Sequence, residues 1–399
     1  MLPKNLPANF MVKVLLKQKS STPVPNPLHS DILILGGGLA GLTNALHLAK
    51  AGLHVRLLEK GEYPRHKVCG EYISNEVLPY LDSLGFEPFS LGATAMERCL
   101  LSTVEGKTVE APLPLGGFGL SRYRMDDELY KLVLAQGGEI LQETVEEVEF
   151  SGDQFTVSTR SGQVYTAPLV IGAFGKRSKL DVALDRPFMQ KNAPYLGVKA
   201  HYAGDFPEDL VALYNFDGGY CGVSKVEDGR INICYLANYD TFKTYKNLAT
   251  YEQEVVRKNP LLNDILNRVT PLFDRPLTIS QISFASKENV REHVLMSGDA
   301  AGMIHPLCGN GMGMAITSAQ LLSQEILQYF ASKHPDRQRL EAAYTAQWQQ
   351  QFRKRLLFGR AFNALFYRPQ LFAASISMLT VMPRLLPFFI RQTHGEGVG

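Results

Sequence analysis

The chain has 399 residues and a mass of 44.3 kDa, with 45% hydrophobic and 20% charged residues. These values are typical of a globular chain of roughly two or three domains and exclude disordered and collagen-like polypeptides. Its 41 basic and 39 acidic side chains leave a net charge of +2, which argues against a nucleic-acid partner. Five cysteines without a CxxC pair favour a reducing compartment, the cytoplasm, and predict no metal site.

Neither end of the chain predicts a membrane-spanning segment. Residues 1–30 are rich in proline and lysine, and we interpret them as a flexible leader, because Lys13 interrupts the apolar run that a signal peptide needs. The longest uncharged apolar stretch, 369–383, is shorter than the roughly 18 to 20 residues that cross a bilayer.

The first strong element after the leader is a βαβ unit. The apolar run 31–35 predicts a buried parallel strand, and a helix over about 39–51 and a second strand over 54–59 follow it. Between strand and helix, Gly36 permits a tight turn, Gly38 lets the backbone approach a pyrophosphate, and Gly41 lets the helix pack closely. A glycine-rich turn alone would be weak evidence, but the complete unit predicts a dinucleotide site.

The same unit predicts which dinucleotide binds. The first residues of the helix, Leu39 and Ala40, offer free N–H groups to phosphate. Glu59 ends the second strand beside Lys60, and its carboxylate is placed to accept hydrogen bonds from an adenosine ribose. A carboxylate repels a 2′-phosphate, so the unit favours FAD or NAD over NADP.

A second glycine-rich segment, 297–314, follows a short apolar strand and precedes a long helix. Here the sequence resembles the flavoprotein family of p-hydroxybenzoate hydroxylase and, more closely, its geranylgeranyl reductase branch. The resemblance implies that Gly298 and Asp299 bind the ribityl chain and pyrophosphate of FAD. It also implies that one loop presents backbone N–H groups to the flavin ring, with the residues Pro306, Gly309, Gly311 and Met312.

The resemblance extends over most of the chain, from Asp31 to about Gln328. In the segment 64–71 it implies that Lys67, Cys69 and Gly70 lie close to the flavin, whereas the residues alone would also suit a solvated basic loop. It further implies that Arg122 contacts FAD, and an arginine can clamp phosphate with two hydrogen bonds.

One position departs from the pattern of the family. Phe174 stands where relatives carry an aspartate associated with both FAD and nicotinamide contacts. We expect the electron donor to be NAD(P)H, a reduced ferredoxin or a reduced flavin. Because the aspartate is missing, the sequence argues against direct use of NADPH.

The segment between the motifs predicts an antiparallel sheet that covers the flavin. Three residues are candidate proton donors to a substrate: Tyr220 in this segment, Cys69 in the segment 64–71 and His305 in the segment 297–314. We expect His66 and Lys67 to lower the pKa of Cys69, and a structural role is the alternative for His305. Flavin halogenases of the superfamily that the sequence resembles use a tryptophan-rich motif. The only tryptophan here, Trp348, lies in a polar helix, which argues against a halogenase.

The tail of the chain is both apolar and basic. Residues 342–394 contain seven Lys and Arg, no Asp or Glu, and many Leu and Phe. Short helices of this composition could lie on an anionic membrane surface or line a tunnel for a lipid-like substrate. A helical cap packed on the main domains is an equally good interpretation.

Together these features predict an α/β (α+β) fold with a Rossmann-like FAD-binding domain of the p-hydroxybenzoate hydroxylase type. The FAD-binding domain comprises residues 31–115, 123–178 and 281–330. An antiparallel-sheet substrate domain comprises residues 179–280, and a helical C-terminal cap comprises residues 331–399. The resemblance implies an FAD-dependent oxidoreductase that reduces carbon–carbon double bonds of a hydrophobic isoprenoid or polyketide-like substrate by hydride transfer from flavin N5. The alternative is a monooxygenase that hydroxylates an aromatic or polyene lipid-like substrate. We expect a cytoplasmic protein, with peripheral contact to the inner face of the membrane through its tail as an open alternative.

Overall fold

The computed structural model describes residues 27–393, except 192, 246, 306–308, 367 and 383–384. The strands are β1 (Leu28–His29), β2 (Ile32–Leu35), β3 (Val55–Glu59), β4 (Tyr72–Ser74), β5 (Thr94–Ser102), β6 (Thr108–Gly119), β7 (Glu139–Gln142), β8 (Val145–Ser151), β9 (Gln154–Thr159), β10 (Val164–Ala167), β11 (Leu169–Gly172), β12 (Tyr195–Ala203), β13 (Leu210–Phe216), β14 (Gly219–Lys225), β15 (Ile231–Asn238), β16 (Thr270–Pro271), β17 (Leu277–Ile282), β18 (Val290–Arg291) and β19 (Val294–Met296). The helices are α1 (Leu39–Lys50), α2 (Leu78–Ser83), α3 (Arg122–Ala135), α4 (Lys179–Ala183), α5 (Tyr239–Tyr245), α6 (Leu248–Glu254), α7 (Pro260–Arg268), α8 (Gly311–Ala331), α9 (Arg337–Phe366), α10 (Pro369–Val381) and α11 (Leu385–Thr393).

The first domain is built around a six-stranded sheet in the order β18-β19-β11-β2-β3-β7. Its strands are parallel except for the pair β18–β19, and β2 lies at the centre, with Ile34 between Ile171 and Leu57. Every residue of β2 is buried, as expected for a strand covered on both faces. Helices α1 and α8 contact each other, and both contribute to the core around this sheet.

A four-stranded sheet has the order β1-β10-β9-β8. Strands β8 to β10 lie between β7 and β11 in the chain, whereas β1 comes from its beginning. Its edge strand, Leu28–His29, pairs in parallel with Tyr165 and Thr166. The predicted leader 1–30 therefore reaches too far, because its last residues are fixed by backbone pairing. Residues 1–26 lie outside the described part of the chain.

The second domain is a nine-stranded sheet in the order β16-β12-β15-β14-β13-β5-β6-β4, with β17 also paired to β12. The strands predicted between 194 and 237 are present as β12 to β15, with turns at Gly218 (φ +73°) and Gly229 (φ +67°). The sheet also contains β5 and β6, so 94–119 belongs here rather than to the FAD-binding domain, where we placed residues up to 115. The physical reason is a long-range parallel pairing, in which Arg98 lies opposite Leu210.

The tail forms three helices, α9, α10 and α11, and the last two contact β6. Their apolar residues join a core cluster on one face of the nine-stranded sheet, which includes Leu101 and Leu113 from the sheet and Phe372 and Ile376 from α10. Among the described helices, none is both long and apolar enough to cross a membrane.

A buried ion pair connects α4 to two loops, one before β18 and one after β19. Arg186 donates to Asp181 (2.8 Å) and to the carbonyl oxygens of Ala300 (3.0 Å) and Glu288 (2.7 Å), and both charged side chains are fully buried. Removing one partner would leave Asp181 buried without its counter-charge, which costs far more than losing an exposed pair.

We therefore expect Arg186→Met to lower the free energy of unfolding by about 3–5 kcal/mol. Arg160→Met is the matched control, because Arg160 pairs with Glu146 while both side chains are more than half exposed. It should cost no more than about 1 kcal/mol. Equilibrium urea unfolding measures both variants, and equal losses would contradict this account.

Candidate functional site

The carboxyl ends of the parallel strands meet at one edge of the six-stranded sheet. Gly36 follows β2, Glu59 ends β3, Ala173 follows β11 and Ser297 follows β19, and all four line one cavity of about 770 Å³. Ligands of open parallel sheets bind at this edge, because the loops that leave the strands there are free to vary. The cavity continues from this edge to the nine-stranded sheet and the tail helices.

The three fingerprint glycines have three different environments. Gly36 has φ +106°, and a Cβ atom there would lie 2.5 Å from the carbonyl oxygen of Ala173. A Cβ atom at Gly41 would overlap the carbonyl oxygen of Gly36. A Cβ atom at Gly38 would meet no atom within 4 Å, and Gly38 lines the cavity at the N-terminus of α1. Gly36 and Gly41 thus shape the turn, while Gly38 leaves open space beside the free N–H groups of the helix.

The carboxylate of Glu59 fixes the loops around this edge. It accepts hydrogen bonds from the backbone N–H groups of Gly37 (2.7 Å) and Gly61 (2.9 Å) and pairs with Arg65 (2.9 Å). Burial acts to raise the pKa of Glu59, but Arg65 and the two backbone donors outweigh it and lower the pKa. The residue is therefore ionised near neutral pH, and it lines the cavity beside Lys60.

A buried carboxylate also organises the basic residues of the site. Asp126 accepts two hydrogen bonds from the guanidinium of Arg122 and one from Lys67, each 2.7 Å long. Burial acts to raise the pKa of Asp126, but the two cations lower it. The basic segment around Lys67 is therefore an ordered part of the cavity lining rather than a solvated loop.

Glu71 joins the two domains at the cavity. Its carboxylate accepts hydrogen bonds from the backbone N–H of Arg122 (2.7 Å), from Lys199 (2.5 Å) and from Nε2 of His201 (2.7 Å). All of these side-chain partners are buried, and Lys199 and His201 both lie on β12. Burial acts to raise the pKa of Glu71, but Lys199 and His201 lower it.

The thiol of Cys69 lies in the cavity lining, 3.3 Å from the sulfur of Met312 at the start of α8. Burial raises the pKa of Cys69, so our expectation that His66 and Lys67 would lower it is wrong. Lys67 is directed to Asp126, and burial lowers the pKa of His66 to about 4, so that imidazole carries no charge near neutral pH. The thiol keeps its proton.

The turn after β19 brings two lysines near Asp299. Lys287 donates to the backbone carbonyls of Lys176 and Asp299, both at 2.7 Å, and its Nζ lies 4.3 Å from the ring centre of Phe188. The Nζ of Lys176 is buried, has no hydrogen-bond partner among the described residues, and belongs to a side chain that lines the cavity. Burial lowers the pKa of both lysines to about 8. Burial also raises the pKa of Asp299.

The far end of the cavity is apolar. Tyr220 is the polar group there that we predicted, and its neighbours come from the nine-stranded sheet and from the tail helices. These neighbours include Leu101, Leu113, Leu213, Leu236, Ile282, Leu365, Phe372, Ile376, Leu379, Leu386, Phe389 and Ile390. The tail helices thus contribute to the cavity as well as to the core.

The structure brings most of the predicted site residues to this one cavity: Gly36, Gly38, Leu39, Ala40, Glu59, Lys60, Lys67, Cys69, Gly70, Arg122, Tyr220, Asp299, Gly309, Gly311 and Met312. Gly41 and Gly298 lie behind the lining, and Gly298 packs so closely on α1 that a Cβ atom would be 2.6 Å from that of Ala40. His305 also lies outside it, with its ring centre 4.5 Å from that of Phe284, and burial lowers its pKa to about 3. That environment agrees with the structural alternative for His305. Pro306 lies outside the described residues.

Sequence reasoning missed Lys176, Glu71 and the partners of Glu71 on β12. One signal was available for those partners, because Lys199 and His201 stand two residues apart in a strand and flank the apolar residue Ala200. Charged residues on one face of a buried strand indicate a partner on the neighbouring element. No local pattern indicates the unpaired Lys176.

Comparison with known proteins identifies the family. A family model described as FAD binding domain matches residues 29–347. The chain is 24% identical over 381 residues to conditioned medium factor receptor 1 of Dictyostelium discoideum, covering 88% of this chain and 73% of the relative. It is 23% identical over 326 residues to ubiquinone hydroxylase UbiM of Neisseria meningitidis (75% and 69% covered). It is 23% identical over 351 residues to digeranylgeranylglycerophospholipid reductase 2 of Methanopyrus kandleri (84% and 86% covered).

Among solved structures, the flavin-dependent brominase Bmp2 matches with a TM-score of 0.73 at 17% identity, covering 92% of this chain and 93% of that chain. This likeness shows the fold alone, and it confirms the predicted fold class. The site itself fits an extended anionic cofactor, since it combines the open space at Gly38 with the buried ammonium group of Lys176, which makes no hydrogen bond within the described part of the chain.

The different environments of Gly38 and Gly41 give a matched pair of variants. We expect Gly38→Ala to leave the thermal unfolding of the FAD-free protein unchanged, because its Cβ meets no protein atom, and to weaken FAD binding by at least about tenfold, about 1.4 kcal/mol. Gly41→Ala should instead destabilise the FAD-free protein by about 1–3 kcal/mol, because its Cβ overlaps the turn. Calorimetry and fluorescence titration with FAD measure the two effects. Unchanged affinity in Gly38→Ala would contradict a phosphate position beside Gly38.

Proposed function

We infer that this chain, which belongs to the FAD binding domain family, reduces carbon–carbon double bonds in a hydrophobic isoprenoid or polyketide-like substrate. That the chain is an FAD-dependent oxidoreductase follows from the family and from its relatives, which include a reductase and a hydroxylase. The observation that carries the finer proposal is the division of the cavity into a polar, charged end and an apolar end enclosed by the tail helices.

The polar end supplies the groups that would hold FAD. The N–H groups of Leu39 and Ala40, the space beside Gly38 and the ammonium group of Lys176 suit the pyrophosphate. Glu59 would accept a hydrogen bond from the adenosine ribose. When bound, FAD supplies the two-electron chemistry of the reaction.

The flavin end of the cofactor would lie where α8 begins. Gly309, Gly311 and Met312 line the cavity there, and the N-terminus of a long helix stabilises negative charge. Lys67, Gly70 and Arg122 line the same cavity. These residues would position the reacting ring at the boundary between the polar and apolar ends.

Two residues in the cavity lining could complete the reduction. Adding a hydride to one carbon of a double bond requires a proton at the other carbon. Cys69 holds a proton at Sγ, since burial raises its pKa, and Tyr220 lines the apolar end of the cavity. The proton would therefore come from Cys69 or Tyr220, and the thiolate or phenolate left behind would recover it from solvent.

The electron donor is a separate part of the proposal. Phe174, at the position where the family has an aspartate, lines the cavity beside Gly175. An aromatic side chain offers no carboxylate to a nicotinamide, so we propose a reduced ferredoxin or a reduced flavin as the donor, with NAD(P)H as the alternative. Anaerobic mixing of the FAD-loaded protein with NADPH, followed by absorbance, distinguishes them.

Ubiquinone hydroxylase UbiM, as a relative, favours a second function for the same site. A monooxygenase would hydroxylate an aromatic or polyene lipid-like substrate in the apolar end. It would leave one oxygen atom in the product, whereas a reductase adds two hydrogens.

The test is high-resolution mass spectrometry of a lipid extract incubated with the purified protein and chemically reduced FAD, under air enriched in heavy oxygen. We expect a product heavier by two hydrogens, and a product with one labelled oxygen would establish the hydroxylase instead. Cys69→Ala should slow the reduction by about 10²–10⁴-fold if the thiol is the acid, with FAD binding retained. Cys99→Ala is the matched control, because Cys99 is a second buried thiol in the same lining, on β5. Equal rates in the two variants would assign the proton to Tyr220, which Tyr220→Phe then tests.

The role given to Lys176 predicts how FAD binding depends on pH. The pKa of Lys176 is lowered to about 8, so the cation is present below pH 8 and is lost as the pH rises. FAD affinity should fall above about pH 8, by up to about tenfold for each pH unit. Lys176→Met should bind FAD more weakly at pH 7 and show a flatter dependence on pH. Titration of riboflavin, which lacks the pyrophosphate, is the control, and a pH profile identical in wild type and variant would contradict the role.

A further inference from the structure

Helix α10 is apolar on two opposite faces. Its thirteen residues include no charged side chain. Phe372, Ile376 and Leu379 are buried and line the cavity. On the other side Leu371 and Val381 are 50% and 81% exposed. A helix with apolar residues on two opposite faces is normally covered on both, so the outer face of α10 calls for a covering surface.

The exposed residues of α10 form a continuous stripe. Leu371, Ala374, Met378 and Val381 are three or four residues apart, which places them on one side of a helix, and each is exposed. The helix is about 20 Å long, so it can lie along a surface but is too short to cross a bilayer. We call these four residues the outer stripe.

The two other tail helices also expose apolar and basic residues. On α9, Leu357 is 52% exposed and lies one turn from Arg353 and Arg360, which are also exposed. On α11, Phe388 is 56% exposed and lies one turn from Arg391. Lys354 and Arg368 add exposed positive charge, and residues 342–393 contain no Asp or Glu.

This charge pattern decides between the surfaces that could cover the stripe. The leader 1–26 has four lysines and no acidic residue, so it would be repelled. A second copy of the chain, packed stripe to stripe, would bring two basic surfaces together. An anionic bilayer offers both an apolar interior for the stripe and negative headgroups for the flanking arginines and lysines.

We propose that the outer stripe, flanked by Leu357 and Phe388, lies in the interface of an anionic lipid bilayer. The opposite face of α10 lines the cavity, so one helix separates the lipid from the apolar end of the site. A lipid-soluble substrate would then pass from the bilayer along this helix without crossing water. Only this last step rests on the proposed function, whereas the docking stands on the surface itself.

The test is co-sedimentation of the FAD-loaded, full-length protein with vesicles of phosphatidylcholine, with and without phosphatidylglycerol. We expect binding to the anionic vesicles that weakens as salt is added, and much weaker binding to phosphatidylcholine alone. The variant Met378→Asp/Val381→Asp should lose at least about tenfold of the vesicle affinity. The matched control is Leu134→Asp/Val182→Asp, because those residues are 44% and 63% exposed on α3 and α4. The control should bind as the wild type does.

Three results would overturn the proposal. The first is a wild type that does not bind anionic vesicles, and the second is a stripe variant that binds them as tightly as its control does. The third is a wild-type dimer in light scattering that the stripe variant converts to a monomer, since a second copy would then cover the stripe. Reduction of a detergent-solubilised substrate needs no vesicle, so its persistence in a protein that fails to dock would separate this proposal from the proposed function.

Discussion

The arrangement of the site depends on one buried carboxylate. Glu71 lies at the end of the loop that carries Lys67 and Cys69, and it binds Lys199 and His201 of β12. An isolated buried carboxylate would cost several kcal/mol, so this one is stable only while both domains supply its partners. The loop and the nine-stranded sheet are therefore held in one relative position. That contact therefore fixes the shape of the cavity between the two domains.

Asp126 plays a corresponding part for the basic side chains. Arg122 and Lys67 would repel each other in the cavity lining, and the shared carboxylate holds both at 2.7 Å. Glu59 does the same for Arg65 at the sheet edge. The polar end of the cavity is thus a set of cations held in place by buried carboxylates. Lys176 is different, because its buried ammonium group lies near Asp299 but makes no hydrogen bond to any described residue, so its N–H groups are available to an anion.

Local patterns in the sequence were enough to locate the polar end, and long-range contacts explain what they missed. The glycine turns and the carboxylate of Glu59 could be predicted because each acts within its own strand–turn–helix unit. The pairing of β5 with β13 joins residues more than a hundred positions apart, so no local pattern placed 94–119 in the second sheet. The predicted lowering of the pKa of Cys69 was wrong for the same reason. Its sequence neighbours are basic, but its spatial neighbours are the sulfur of Met312 and other buried groups.

The tail shows how composition can suggest alternatives that only geometry separates. Its sequence suited a membrane surface or a tunnel lining, and equally a helical cap packed on the main domains. In the structure α10 has Ile376 toward the cavity and Val381 toward the outside, so lining the cavity leaves an apolar face still uncovered. The same helix contributes Phe372, Ile376 and Leu379 to the apolar end of the cavity. Under the proposed function, this apolar lining would hold the substrate, and the neutral thiol of Cys69 would keep the proton that the second carbon needs. One helix would then both contact the bilayer and shape the end of the cavity in which the substrate lies.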